Sequence, residues 1–281
     1  MAAILGGLGA AVAWASTTVC SSRSSRMVGA ASVVAWTALV GLTVTVPLLI
    51  AAGNPHLGSH ELVLLSIGGL GNIGGLLLSY SALREGKVGL VAPIVSAEGA
   101  VAAAIALVGG DTITTGTLIA LAVVSVGVML AGAARGEDHA TEGRQTAPIA
   151  LAVGAALSFG VSLYATGRIG HSLPLAWAVL PPRVVGVLVV AIPLIAAQRL
   201  QLTRRAVPLL VASGCTEVAG FAAFSAGARH DVAIAAVLAS LFGAIAALAA
   251  RVLFAERLTR PQVTGVSVTI AGVVALGVLQ A

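Results

Sequence analysis

Charged residues are scarce in this sequence: only 9% of its 281 residues are Asp, Glu, Lys or Arg, against about 25% in a typical soluble domain. A surface exposed to water cannot be built from so few charges. Hydrophobic residues make up 58% of the chain, and they occur in runs of about 20 residues, the length that crosses a bilayer as an α-helix. The sequence therefore predicts an integral membrane protein.

The apolar runs follow one another along the whole chain and are separated by short turns that contain charged residues, Gly or Pro. A transmembrane β-barrel would instead show alternating segments of about 10 residues. We therefore predict an all-α integral membrane fold of ten transmembrane helices. Their predicted ranges are 3–21, 28–51, 62–83, 88–109, 113–133, 148–167, 175–197, 206–227, 232–254 and 262–279.

Cysteine and catalytic motifs are also scarce. The two cysteines, Cys20 and Cys215, fall in different predicted spans, so neither a disulfide nor a metal site is expected, and no cofactor is expected. The sequence contains no Walker loop, HExxH, Cys-x-x-Cys or Gly-x-Ser-x-Gly motif, which argues against an enzyme and against ATP-driven transport by this chain alone. Residues 69–74 spell GxGxxG but lie inside an apolar span, where Gly71 and Gly75 predict close helix packing instead of dinucleotide binding.

The positive charges are dispersed singly, and no basic cluster indicates nucleic-acid binding. They concentrate in every second turn, and the positive-inside rule places those turns in the cytoplasm. Both termini are then extracytoplasmic, in a multi-pass protein of the cell inner membrane. No basic segment precedes the first apolar run, so this run is expected to remain as a span. The odd turns contain Arg23, Arg26, Arg84, Lys87, Arg135, Arg144, Arg199, Arg204, Arg205, Arg251, Arg257 and Arg260, and the even turns contain Arg168 and Arg229.

The second half of the sequence resembles the first at a nearly constant spacing. This predicts two repeats, residues 1–134 and 148–281, joined by a hydrophilic loop at 135–147. Because five spans is an odd number, the second repeat must cross the membrane in the opposite sense. Inverted repeats are a common plan of secondary transporters, with the substrate site between the halves near the midplane. The aligned pairs are Val88 with Val232, Ser96 with Ser240 and Gly99 with Gly243 at a shift of 144, and Trp14 with Phe159 at a shift of 145.

A recognisable pattern runs from residue 224 to residue 272. It begins Phe-Ser-Ala-Gly-Ala-Arg-His-Asp at 224–231, continues as an apolar run from 237 to Glu256-Arg-Leu-Thr, and ends with Gln262, Gly265 and Gly272. The first half carries a weaker version, with Ala92-Pro93-Ile94, Gly99 and Asp111. Together these residues resemble the EamA-type drug/metabolite transporters. The resemblance implies ten spans in two inverted repeats, a cavity lined mainly by spans 3, 4, 8 and 9, and export of small metabolites of no particular kind.

Three charged residues fall inside predicted spans, where a charge is costly and is therefore a functional candidate. These are Glu98 in span 4, Arg183 in span 7 and Glu217 in span 8. Both acids lie about ten residues into their spans, near the midplane. If the faces converge, one Arg between two carboxylates can hold a zwitterionic solute, or a carboxylate can load and release a proton. The alternatives are a structural ion pair or a water-solvated cavity wall.

The scaffold repeats, but these charges do not. The repeat partners are Phe242 for Glu98, Thr37 for Arg183 and Asn72 for Glu217. This is expected if substrate chemistry was added to one side of a symmetric frame. Asn72 is then a fourth candidate for the cavity, the alternative being a hydrogen bond between helices.

The predicted function is a secondary transporter that exports small metabolites or drug-like compounds by alternating access, coupled to protons through Glu98 or Glu217. Its partners would be a small-molecule substrate, the lipid bilayer and protons, with the chain acting as a monomer or homodimer. The main alternative is a lipid or lipid-linked sugar flippase of the same fold. A membrane-embedded enzyme would need a cluster of titratable groups at the bilayer surface, and a channel would need a ring of acids; the sequence offers neither.

Overall fold

The computed structural model describes residues 1–86, 88–110, 114–132 and 146–254, together with scattered positions between 261 and 279. These residues form helices and turns, with no strand among them. The predicted all-helical class is therefore confirmed for this part of the chain. Most of the predicted connecting loop at 135–147 and of the tenth span at 262–279 lies outside the described residues, as do Asp111 and Glu256.

Six helical stretches are long and apolar enough to cross a bilayer, with mean hydropathies of 1.5 to 2.2. A multi-pass membrane protein is thus supported, whereas the count of ten spans stays a prediction. In chain order the helices are α1 (Ala2–Val28), α2 (Ala30–Ala52), α3 (Ser59–Glu85), α4 (Val88–Val95), α5 (Glu98–Val108), α6 (Thr115–Gly132), α7 (Thr146–Ser172), α8 (Leu175–Gly186), α9 (Ile192–Ala196), α10 (Val207–Ala228), α11 (Val232–Ala239) and α12 (Phe242–Phe254), with a π-helical turn at Val187–Ala191 between α8 and α9.

Two of the predicted spans are interrupted helices, and both are interrupted at the same place in the repeat. Between α4 and α5 the N–H of Ala97 donates to the carbonyl of Ile94, three residues back, at 3.1 Å. Between α11 and α12 the N–H of Leu241 donates to Leu238 in the same way, also at 3.1 Å. Each interruption is thus a single tightened turn. A proline precedes the first interruption but not the second, so proline is not required for it.

The two interrupted helices cross each other at unusually short range. A Cβ atom added to Gly99 would collide with the carbonyl oxygen of Ala236 and the hydroxyl of Ser240. The reciprocal contact is present as well, since a Cβ added to Gly243 would lie 2.7 Å from the carbonyl oxygen of Ala92. The early part of each helix therefore meets the late part of the other, so they cross antiparallel. Only glycine allows backbones to approach so closely.

Four long helices pack around this crossing as two antiparallel pairs, α1 with α10 and α3 with α7. In the first pair, the hydroxyls of Thr17 and Thr216 are 2.7 Å apart. In the second, the hydroxyl of Ser162 donates to the carbonyl of Gly68 at 2.7 Å. Gly75 of α3 lies against the ring of Phe159 in α7, so the close packing predicted from the α3 glycines is confirmed. Small residues and short polar bonds hold these helices together, as is usual where lipid gives no hydrophobic drive.

We expect Gly99→Ala to destabilise the protein by about 1–3 kcal/mol, because the new methyl group overlaps a backbone oxygen that has no room to move. The matched control is Gly74→Ala in α3, where the atom nearest to an added Cβ is 3.9 Å away. This change should be neutral, or stabilising by up to about 1 kcal/mol through helix propensity. Thermal unfolding of the two purified variants in detergent compares them, and equal midpoints would contradict the close crossing.

Candidate functional site

A cavity lies between the four long helices and the two interrupted ones. Five aromatic side chains, several hydroxyls, one amide and two carboxylates line it. The lining residues are Trp14, Thr17, Thr18, Asn72, Leu76, Ser79, Tyr80, Val95, Glu98, Phe159, Ser162, Leu163, Glu217, Phe221 and Phe242.

Three of the four residues singled out from the sequence lie on this cavity, namely Asn72, Glu98 and Glu217. The fourth, Arg183, does not line it. Its Nη1 atom lies 3.8 Å from Oε1 of Glu217. The structure therefore does not show one arginine bridging the two carboxylates. Arg183 forms its ion pair with Glu217 and not with Glu98.

Arg183 is held inside the protein by contacts with α2 and α10. It is 1% exposed, its guanidinium carbon lies 5.1 Å from the centre of the Phe221 ring, and its side chain fills the space beside Gly41 in α2. Its Nε and Nη2 atoms have no hydrogen-bond partner among the described residues. A guanidinium with so few partners is stable at this depth only because Glu217 supplies a countercharge. The pair is thus a coupled unit.

Glu98 is placed differently from Glu217. It is the first residue of α5, is 4% exposed, and faces the cavity. Within the described ranges, no Lys or Arg forms a salt bridge with it. The nearby charged group that acts on it is the second acid, Glu217, which repels it. Because Arg183 already compensates Glu217, Glu98 is the acid whose ionised form would leave the cavity with an uncompensated negative charge.

Three polar atoms of the lining residues are buried without a hydrogen-bond partner in the described part of the chain. They are Nε1 of Trp14, a donor, Oδ1 of Asn72, an acceptor, and the hydroxyl of Tyr80, which can donate or accept. The same indole packs edge-on against Phe221, with ring centres 5.3 Å apart, and the Asn72 amide also interacts with Glu217. Buried polar atoms are normally paired. Together with Glu98, these atoms give the cavity both donors and acceptors that a solute or water can satisfy.

The lining also follows the spacing of the predicted repeats. Most of the lining residues fall into six pairs separated by 144 or 145 positions, so the two sides of the cavity come from corresponding places in the halves. The pairs are Trp14 with Phe159, Thr17 with Ser162, Thr18 with Leu163, Asn72 with Glu217, Leu76 with Phe221, and Glu98 with Phe242. Sequence reasoning did not single out the aromatic residues. The alignment of Trp14 with Phe159 was the signal that could have identified them.

Comparison with known proteins agrees with this architecture. Residues 1–133 match the EamA-like transporter family, which is a family of transporters and not of enzymes. No curated protein matches the chain. Among 26 matching chains of solved structures, one described only as a crystal structure of a protein shares 17% sequence identity. That match covers 99% of this chain and 96% of the other, with a TM-score of 0.75. At this identity the likeness shows a shared fold and nothing more.

Removing one member of the buried ion pair should cost more than removing both. Arg183→Thr and Glu217→Asn each introduce the residue found at the partner position and leave the other charge unpaired. We expect each single variant to lose about 3–5 kcal/mol of stability and the double variant to recover most of that loss. Unfolding of the four proteins in the same detergent forms a double-mutant cycle. Additive losses would show that the two side chains do not act as a pair.

Proposed function

We propose that this chain, whose residues 1–133 are those of an EamA-like transporter, is a secondary transporter that exports small metabolites or drug-like compounds across the cytoplasmic membrane by alternating access. The observation that carries the proposal is the cavity. It lies within a bundle of apolar helices and contains, among aromatic side chains, a carboxyl group that no described Lys or Arg pairs with. Acids buried in a membrane bundle usually mark a solute or proton pathway.

The proposed architecture is two inverted five-helix repeats, residues 1–134 and 148–281, which give ten spans in all. Reciprocal packing supports it: Gly75 lies against Phe159, and Gly220 lies against Trp14 in the same way. These two contacts correspond to each other at a shift of 145. Since α3 and α7 run antiparallel, and α1 and α3 are separated by one intervening span, α1 and its counterpart α7 point in opposite directions, as inversion requires.

Alternating access follows from this geometry. Corresponding residues of the two halves line the cavity, so the pseudo-twofold axis that relates the halves passes through it. Rocking one half against the other opens the cavity to the two sides of the membrane in turn. The small residues where the interrupted helices cross, Gly99 and Gly243, leave little side-chain interdigitation to break during such a motion.

Of the two acids, Glu98 is the proposed coupling residue. Glu217 is held by Arg183 and would have to give up its countercharge to exchange a proton. Glu98 has no such partner among the described residues, and an ionised carboxylate at this depth is stabilised only by a cation, a proton or water. We propose that Glu98 holds either a proton or the solute, never both, and that Asn72 orients Glu217 from the opposite repeat.

Transport in proteoliposomes tests the proposal. With a panel of amino acids, amines and other small metabolites, we expect an imposed pH gradient to drive accumulation of at least one solute by the wild type. Glu98→Gln should abolish the pH-driven component, because the amide cannot exchange a proton. Glu85→Gln is the matched control, since this acid is exposed at the end of α3 and should leave transport unchanged.

The same vesicles separate the alternatives. If no solute moves across the panel but labelled lipids are flipped, the chain is a flippase and the transporter proposal fails. If transport persists in Glu98→Gln with its pH dependence intact, the coupling role does not belong to Glu98.

Orientation in the inner membrane is a separate proposal that rests on the bias of positive charges, which places both termini outside the cytoplasm. A reporter enzyme that is active only in the periplasm, fused after Ala281, should be active in cells. The same reporter inserted in the predicted cytoplasmic turn after Gly86, just beyond α3, should be silent. The reverse pattern would overturn the proposed orientation without affecting the fold.

A further inference from the structure

We propose that the solute taken up by this cavity is a small organic cation that carries N–H donors, such as a protonated primary amine attached to an aromatic or similarly flat apolar body. The inference rests on the proposed function, because it names the substrate class of the same cavity. Three observations lead to it: the charge of the lining, its aromatic surface and its unpaired hydrogen-bonding atoms.

The charge of the cavity selects against anions. Glu98 and Glu217 both line it, and the single arginine beside them, Arg183, is paired with Glu217. The residues that correspond to the acids in the other half are Phe242 and Asn72, and neither can neutralise a carboxylate. When Glu98 is ionised, the site therefore holds one negative charge that no described Lys or Arg compensates. A solute with one net positive charge neutralises it, whereas a zwitterion leaves it unchanged and an anion doubles it.

The aromatic lining suits the same ligand. Trp14 and Phe221 form an edge-on pair with ring centres 5.3 Å apart, and Phe159, Phe242 and Tyr80 complete the aromatic lining. Aromatic faces attract cations through their quadrupoles, most strongly where water is excluded. They also pack well against a flat apolar body. The cavity thus offers a place for the body of the solute as well as for its charge.

The unpaired polar atoms indicate which kind of cation fits. Glu98 and Oδ1 of Asn72 are acceptors, so they require a ligand with N–H groups, which a protonated amine has and a quaternary ammonium lacks. Nε1 of Trp14 is a donor and takes an uncharged acceptor, such as a carbonyl oxygen. A solute with an amine at one end and an amide or ester nearby satisfies all three.

Equilibrium binding to the full chain in detergent tests this directly. Four ligands with the same aromatic body but different charge are compared: phenylalaninamide as the cation, phenylalanine as the zwitterion, N-acetylphenylalanine as the anion and N-acetylphenylalaninamide as the neutral compound. The reporter is the fluorescence of Trp14 in the variant Trp36→Phe/Trp177→Phe. The two replaced indoles bond to the backbone carbonyls of Gln201 and Gly53, outside the cavity lining, and the chain contains three tryptophans.

We expect phenylalaninamide to bind at least about 10-fold more tightly than each of the other three. Glu98→Gln should weaken its binding by about 10- to 100-fold, the value of a hydrogen bond between charged groups. Glu98→Asp should retain the preference for the cation, and Glu85→Gln should bind as the parent does. A preference for the zwitterion or the anion, no binding by any of the four, or an unchanged affinity in Glu98→Gln would each overturn the inference.

Failure here is distinguishable from failure of the proposed function. If the proteoliposomes transport solutes of another class while phenylalaninamide does not bind, the chain is a transporter and only the substrate class is wrong. If phenylalaninamide binds as expected but no solute moves in the vesicles, the site is a cation site in a protein that does not transport.

Discussion

The close antiparallel crossing of the two interrupted helices is the contact on which the rest of the structure depends. Gly99 lies against Ala236 and Ser240, and Gly243 lies against Ala92, so the backbones of the two halves touch where any larger residue would separate them. This contact fixes the distance between the halves. The cavity is then the space that remains between the crossing and the four long helices around it.

The charged residues make the two sides of the cavity different from each other. Every pair of corresponding positions that line the cavity is apolar or hydroxylic, except two, and each of those two has its acid in a different half. One acid, Glu217, is neutralised by Arg183, and the other, Glu98, is not. Because an isolated charge inside a membrane bundle is costly, Glu98 is protonated unless a cation or water stabilises its ionised form. In the proposed transport cycle, the proton and the solute occupy Glu98 in turn.

The sequence was sufficient for the class of protein and for the course of most helices, because composition and run length determine these directly. It did not determine which way each residue faces. The helices are apolar nearly all round, so periodicity does not identify an inner face. For this reason the sequence left open whether Arg183 lies between the two acids or forms a structural ion pair. It lies beside Glu217, and Trp14 and Phe221 were not among the predicted site residues. The repeat was the better guide, since positions related by it lie on the same cavity.

The central claim is that one cavity opens alternately to the two sides of the membrane. It is tested most directly by placing a single cysteine at Thr18, a lining position, in a chain without Cys20 and Cys215, and measuring its reaction with a membrane-impermeant maleimide added to either face of sealed vesicles. We predict that the cysteine reacts with maleimide added to either face. A bound solute should accelerate the reaction from one face and slow the reaction from the other. Reaction from one face alone, at a rate that no solute changes, would contradict it.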